Sequence, residues 1–208
     1  MPTEQEIDAL IAGCSKTVAT FLQLLKETAM RSGEAYRIKW KDVDFERKTI
    51  TLNEPEKGSL PRMFNSLSGK LLNMLSNMPK KTLYIFGGTT LNSMKATFSR
   101  ARKRLAYKLQ NPRLNEIHFH TLRHWKATME YHYKPDLLHV AELLGHKEIR
   151  NTRMYIQLEK NLFKNLPNDN FITRVAHNTT EACELIQVGF DYVTGEYSDG
   201  GKIFRKRK

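Results

Sequence analysis

Before position 165 the apolar residues of this chain recur almost throughout at intervals of three and four, and the period falls to two only near 49–52 and 60–64. That spacing puts an apolar stripe on each helix, and helical stripes are buried by packing on other elements. The body is therefore predicted to be mainly α with one small antiparallel β-sheet, an α+β fold. A capping box, Thr3 with Glu6, precedes the stripe of Ile7, Leu10 and Ile11, which stops near Gly13. Ser15 opens a longer run through Val18, Phe21, Leu22, Leu25 and Ala29. The turn-rich segment Glu54-Pro55-Glu56-Lys57-Gly58-Ser59 joins the two strands and puts Lys57 at a hairpin tip or strand edge. A helix over 66–78, an extended piece at 83–86 and a helix after Gly87-Gly88 come next. Three helices follow in quick succession over 121–133, 135–144 and 148–163, the second ended by Gly145. A break at Leu166-Pro167-Asn168-Asp169-Asn170 precedes a segment at 171–176, a helix over 179–189 and strands flanking Asp199-Gly200-Gly201. Residues 1–166 are thus expected to form one domain, and 167–208 a small β-α-β-β appendage ending in the basic tip Phe204-Arg205-Lys206-Arg207-Lys208.

Charge narrows the partners. Lys and Arg number 34 against 22 Asp and Glu, a formal charge of +12, and a polyanion releases counterions when such cations neutralise its phosphates. A membrane surface would instead want a basic amphipathic helix with aromatic anchors, and no apolar run approaches the ~18 residues that cross a bilayer. The first ten residues hold three acids and no basic residue, so no signal peptide is read there. Two cysteines, Cys14 and Cys183, make no disulfide framework. These features point to a reducing cytoplasm, with nucleic acid as the partner. The charge also clusters: Lys95, Arg100, Arg102, Lys103, Arg104, Lys108 and Arg113 lie in a stretch without one acid, while Met94, Phe98, Ala101, Leu105 and Leu109 recur at helical spacing. Solvated helix faces normally mix both signs, so Arg100, Arg102, Lys103, Arg104 and Lys108 are candidates for tracking a DNA backbone. Met30, Met63, Met74 and Met78 are read as core fillers.

Three local patterns could carry chemistry. They are Thr28-Ala29-Met30-Arg31-Ser32-Gly33-Glu34, then His118-Phe119-His120-Thr121-Leu122-Arg123-His124, and Leu143-Leu144-Gly145-His146 with Tyr155 nine positions on. Positions i and i+3 share a helix face, so His120 and Arg123 can address one anion. Six of the seven histidines lie between His118 and His146, but paired spacing with a third zinc ligand does not stand out, and no acidic cluster offers to hold Mg²⁺. No metal and no cofactor is expected. What remains is a set of cations and hydrogen-bond donors with a phenol, the requirement for metal-free attack on a phosphodiester. A phenol of pKa ~10 is a weak nucleophile unless cations stabilise its phenolate or a base takes its proton. Guanidinium forks match the non-bridging oxygens on which charge develops, and a lysine on a hairpin can protonate the departing oxygen.

In this order the stretches resemble the tyrosine recombinase or phage integrase family over roughly residues 2–160. Pro2-Thr3-Glu4-Gln5-Glu6-Ile7 is similar to the entry into that family's catalytic domain, and Thr28 to Glu34 with Ile38-Lys39-Trp40-Lys41-Asp42-Val43-Asp44 to its first-arginine motif. Lys57-Gly58-Ser59-Leu60-Pro61-Arg62 resembles the β-hairpin lysine segment. His120-Thr121-Leu122-Arg123-His124, Leu143-Leu144-Gly145-His146 and Tyr155 resemble the last three signature elements. The resemblance implies Arg31 and Arg123 as phosphate clamps, Lys57 as general acid, His120 and His146 as hydrogen-bond donors or acid/base partners, Tyr155 as nucleophile, and Glu34 as a support for the site. His118, His124, His132 and His139 lack such backing and are read as packing or surface residues. Trp125 stands where the family tends to carry a small polar residue, which alters packing beside Arg123.

The implied activity is site-specific recombination of double-stranded DNA through a 3′-phosphotyrosyl intermediate, without metal or ATP and with self-association on DNA as a dimer or tetramer. Type IB topoisomerase-like relaxation and a non-catalytic DNA-binding fragment are the alternatives. Two departures bear on this. The family places a helical core-binding domain first, whereas here the chain begins at the catalytic entry, so a fragment or truncated form with weak, salt-sensitive DNA affinity is expected. Also, 53 residues follow Tyr155. Such tails resemble those of archaeal integrases, and in relatives a segment after the tyrosine can dock on a neighbouring subunit.

Overall fold

The first helix, α1 (Glu4–Gly13), starts where its capping box requires: Thr3 Oγ1 accepts the Glu6 N–H at 3.2 Å and the Glu6 carboxylate accepts the Thr3 N–H at 2.8 Å. In the computed structural model, residues 1–163, 171–195 and 200–207 are described. They fall into two compact units, Met1–Leu162 and Phe163–Lys208.

Helix α2 (Lys16–Thr28) is the axis of the first unit and packs on α1, α4 (Gly69–Ser76) and α6 (Phe119–Tyr133). Surrounded in this way, it buries polar residues along with its stripe, and among the described residues most of their polar atoms find partners, Gln23 Oε1 excepted. Thr20 and Thr28 hydroxyls donate to the Lys16 and Leu24 carbonyls at 2.9 and 2.7 Å, and the Lys26 ammonium reaches Glu4 and Asp8 at 2.8 Å each. The aromatic centre joins three elements and a loop: the Phe21 ring meets Phe86 and Phe119 edge-on at 5.0 and 5.1 Å, and Phe119 stacks on Phe98 of α5 (Leu91–Lys108) at 5.1 Å. Trp125 is buried in the same core, with the Lys26 ammonium 5.6 Å from its ring.

The sheet is antiparallel in the order β1 (Val43–Asp44), β2 (Thr49–Leu52), β3 (Arg62–Phe64), with Ile50 opposite Phe64 and Leu52 opposite Arg62. Alternation turns Ile50, Leu52 and Phe64 inward and Met63 outward, where it is 57% exposed. Met63 is thus a surface residue and not a core filler, while Met30 and Met78 are buried.

Other boundaries shift for local reasons. The strand expected at 60–64 begins at Arg62, because the Leu60 N–H donates to the Gly145 carbonyl at 3.3 Å and Pro61 has no N–H to give. The piece at 83–86 makes only a bridge, Tyr84 to Lys39, before turning. Helix α4 is shorter than the 66–78 expected and is capped by Ser68, whose Oγ accepts the Leu71 N–H at 3.0 Å. The run at 148–163 divides into a 3₁₀ turn, Ile149–Asn151, and helix α8 (Met154–Phe163). Between α2 and the sheet lies the one-turn α3 (Ser32–Tyr36), and α7 (Leu137–Leu144) runs from its Asp136 cap to Gly145 at φ 66°.

The second unit has the β-α-β-β order: β4 (Phe171–Ala176), α9 (Thr179–Gln187), β5 (Asp191–Thr194) and β6 (Lys202–Arg207), in an antiparallel sheet ordered β4-β6-β5. Asn178 caps α9 by accepting the Glu181 N–H at 2.9 Å. The expected break at 166–170, Asp199 of the expected turn and Lys208 of the basic tip lie outside the described residues. No helix among the described residues is long and apolar enough to cross a membrane.

Candidate active site

Helix α6 carries Arg123 about one turn in from its N-terminal end, in a place walled by the ends of two other helices. The guanidinium, 2% exposed, donates to the Ala29 carbonyl at 2.6 Å, the Leu144 carbonyl at 2.8 Å and His146 Nε2 at 3.3 Å. Ala29 follows α2 in the left-handed region at φ 53°, so its carbonyl turns to meet the arginine. Neither carbonyl neutralises the charge. Burial, with the Arg31 charge second, pushes the Arg123 pKa down to about 10, and Tyr155 and Glu34 only partly oppose this. A buried cation in that condition attracts an anion.

Arg31 stands at the N-cap of α3. Its guanidinium donates to Glu34 at 3.0 Å, to the Glu56 carbonyl at 3.5 Å and to the Ser59 hydroxyl. Glu34 is fully buried and ties three segments together: it accepts the Arg31 N–H at 2.9 Å, the Glu56 N–H at 3.2 Å and the Arg62 guanidinium at 2.8 Å. Burial alone would raise its pKa, but the Arg31 N–H, the Arg62 charge and the Glu56 N–H outweigh burial and hold it below the ordinary carboxylate value. Lys57 is exposed on the loop between β2 and β3, in the left-handed region at φ 53° beside Gly58 at φ 67°. The loop that carries it is therefore anchored through Glu56, Ser59 and Arg62 to the Arg31–Glu34 pair.

His146 follows Gly145. Because an arginine can only donate, Nε2 of His146 is an acceptor, and the ring proton sits on Nδ1, directed to Thr152 Oγ1 at 3.0 Å. Burial, then the charges of Arg123, Arg31 and Arg62, push its pKa down to about 4. His120, near the exposed start of α6, is likewise lowered, by desolvation first and then by His124, Arg123, Arg31 and Lys57. A cavity of about 410 Å³ opens beside it, lined in part by Ser32, Lys95 and Ser99. Tyr155 belongs to α8 and is 2% exposed, packed with Ala29, Ala127, Val140 and Leu144. Burial raises its pKa, against the pull of Arg123 and Arg31 toward the phenolate.

Arg31, Lys57, His120, Arg123, His146 and Tyr155 thus gather in the first unit around one buried positive centre, with Glu34 beneath. The sequence reading missed His124, whose Nδ1 lies 3.2 Å from Tyr155 Oη and whose ring meets His120 edge-on at 4.5 Å. Its signal was faint: it follows His120 by one helical turn, on the same face. His118 pairs with Arg102, His132 with Glu159 at 2.9 Å and His139 with Glu130 at 3.3 Å.

On α5, Arg100, Lys103 and Lys108 are exposed. Arg104 is exposed too, and reaches the Gly13 carbonyl at 2.9 Å. Arg102 departs from the expected outer face. It is 8% exposed and donates to the Ile117 carbonyl and to His118 Nδ1, each at 2.7 Å. The buried stripe runs through Met94, Phe98, Arg102, Leu105 and Ala106, and Leu109 at the helix end is exposed.

The family described as the phage integrase family matches residues 2–161. Among curated relatives, the tyrosine recombinase XerA of Saccharolobus solfataricus is 28% identical over 157 residues, covering 74% of this chain and 51% of that protein. The tyrosine recombinase XerC of Bacillus subtilis is 27% identical over 158 residues, covering 69% and 50%. Among solved structures, XerA recombinase superposes with a TM-score of 0.60 at 20% identity, over 80% of this chain and 65% of that one. The catalytic domain of bacteriophage HP1 integrase superposes with a TM-score of 0.57 at 25% identity, over 82% and 96%. The chain spans about half the length of the curated relatives it matches. With most of its length matched in sequence and its helical body matched in fold, this chain belongs to the phage integrase family.

Proposed function

We propose that this chain supplies the catalytic part of a site-specific DNA recombinase that cuts and rejoins strands through Tyr155. The observation that carries the proposal is a phenol held beside two arginines of its own chain, one of them buried without a neutralising partner among the described residues. Arg31 and Arg123 clamp the non-bridging oxygens of the scissile phosphate, whose charge replaces the missing counter-charge. Tyr155 Oη attacks phosphorus, leaving a 3′-phosphotyrosyl link. Lys57, on its anchored loop, protonates the 5′-oxygen as it departs. His120 donates a hydrogen bond to the phosphate, His146 steadies the Arg123 guanidinium by accepting from it at Nε2, and Glu34 keeps Arg31 and the hairpin in register. A 5′-hydroxyl reverses the step, so neither metal nor nucleotide is consumed. The exposed cations Arg100, Lys103, Arg104 and Lys108 track the duplex backbone. Exchange joins two duplexes, so we propose self-association on DNA as a dimer or tetramer, in the cytoplasm and on the nucleoid. Structures of similar fold support a duplex partner, among them XerH site-specific recombinase bound to its difH substrate and the Tn1549 transposon integrase in complex with transposon right end DNA. A mobile element, archaeal in host, is the context we propose, in keeping with the S. solfataricus relative and one from Acholeplasma phage L2.

The test is covalent trapping on a nicked suicide duplex followed by denaturing electrophoresis. A protein–DNA adduct is expected from the chain and none from Tyr155→Phe. Duplex binding at low salt with no adduct would refute cleavage and leave a binding module.

A further inference from the structure

Resting on that reading, the open question at the centre of the site is where the nucleophile's proton goes. The family series supplies His120 and His146 as acid/base partners, yet neither touches the phenol. His146 is committed on both ring nitrogens, to Arg123 at 3.3 Å and to Thr152 at 3.0 Å. His120 meets His124 edge-on and makes no hydrogen bond to Tyr155. Among the described residues, the hydrogen-bond partner of Tyr155 Oη is His124 Nδ1, at 3.2 Å and across 31 positions of sequence. The two rings lie 5.8 Å apart at 44°, one on α6 and the other on α8.

We propose that His124 is a catalytic residue: it accepts the Tyr155 proton at Nδ1 as the phenol attacks the phosphate. In that step the phenolic O–H bond breaks and its proton passes to His124. The Oη–P bond forms, the bond from phosphorus to the 5′-oxygen breaks, and Lys57 protonates that oxygen. On rejoining, Lys57 takes back the proton of the attacking 5′-hydroxyl and the His124 imidazolium returns its proton to the departing phenolate, so the cycle closes with no other reactant. Two features of the surroundings agree. Burial, and Arg123 after it, keep His124 below the ordinary histidine value, so it is neutral and can accept. Burial also raises the phenol, which makes a base necessary, while Arg123 and Arg31 stabilise the phenolate that results.

The test uses the chain as it is, in single-turnover adduct formation on the nicked duplex with duplex affinity measured in parallel. His124→Asn places an amide oxygen near the position of Nδ1 and can accept a hydrogen bond, but cannot carry the proton away; His124→Ala removes both abilities. Both variants are expected to bind DNA as the parent does and to cleave about 100-fold more slowly or worse. Imidazole in solution is expected to speed His124→Ala and not Tyr155→Phe. Cleavage by His124→Asn at the parent rate would overturn the proposal, reducing the contact to a structural one. Absence of an adduct from the parent chain would overturn the recombinase reading and this proposal with it. A measurement independent of cleavage guards against a misfolded variant: the ¹⁵N resonance of His124 Nδ1 is expected to move when Tyr155 becomes Phe. An unmoved resonance would overturn the contact itself.

Discussion

Glu34 does more for the site than a helix-terminal ion pair, because a fully buried carboxylate holds two arginines and a hairpin amide at once. Removing one partner of a buried pair costs ~3–5 kcal/mol, since the other charges are left uncompensated. Glu34→Gln is therefore expected to lower stability by about that amount in urea denaturation and to loosen the Lys57 loop. The sign with pH follows from its lowered pKa. A carboxylate whose folded value lies below its unfolded one contributes stability above the ordinary value of 4.5, and that contribution is lost as pH falls through the folded value. The parent should thus lose stability on acidification below about 4.5, with a shallower loss in Glu34→Gln. His146 follows the opposite chemistry. With its pKa near 4, it should stay neutral in ¹H–¹⁵N spectra down to about pH 5, where an unperturbed histidine at 6.5 would be protonated.

Elements set what these residues can reach. Gly145 ends α7 at φ 66°, and a Cβ there would stand 2.5 Å from the Arg62 guanidinium and 3.2 Å from the Leu60 carbonyl. Gly145→Ala should cost at least ~1 kcal/mol in denaturant midpoint and slow any adduct formation, because the same loop carries His146 and seats the Lys57 hairpin. Helix α5 presents two kinds of arginine and lysine that composition cannot separate. Arg102→Met should destabilise by ~1–3 kcal/mol, stranding the Ile117 carbonyl, and leave the salt dependence of DNA binding unchanged. Lys103→Ala should do the reverse: unchanged melting, weaker duplex binding, and a salt slope reduced by ~1. Helices α1, α6 and α7, the β2–β3 hairpin and α9 were legible because each is signalled by residues a few positions apart, as in Thr3 with Glu6 or Gly145 after α7. The strand at Arg62 was misjudged because what shortened it, the Leu60 bond to Gly145, spans about half of the first unit's sequence.

For the whole molecule, the hydrophobic clusters of the first unit, including that around Tyr155, contain residues of that unit alone among the described residues. A chain truncated after Leu162 should accordingly keep a cooperative unfolding transition in calorimetry, and a gradual, non-cooperative melt would show that assignment to be wrong. The sequence by itself determined the helical body, the hairpin lysine and the ordered series Arg31, Lys57, His120, Arg123, His146 and Tyr155, because periodicity, capping and motif spacing are written in near neighbours. Only the tertiary structure decided that Arg102 faces the core, that Glu34 and Arg62 pair across 28 positions, and that His124, one residue beyond Arg123, meets Tyr155 across 31. Those contacts depend on which helix covers which, a balance of burial and charge struck over the whole chain that no local pattern records.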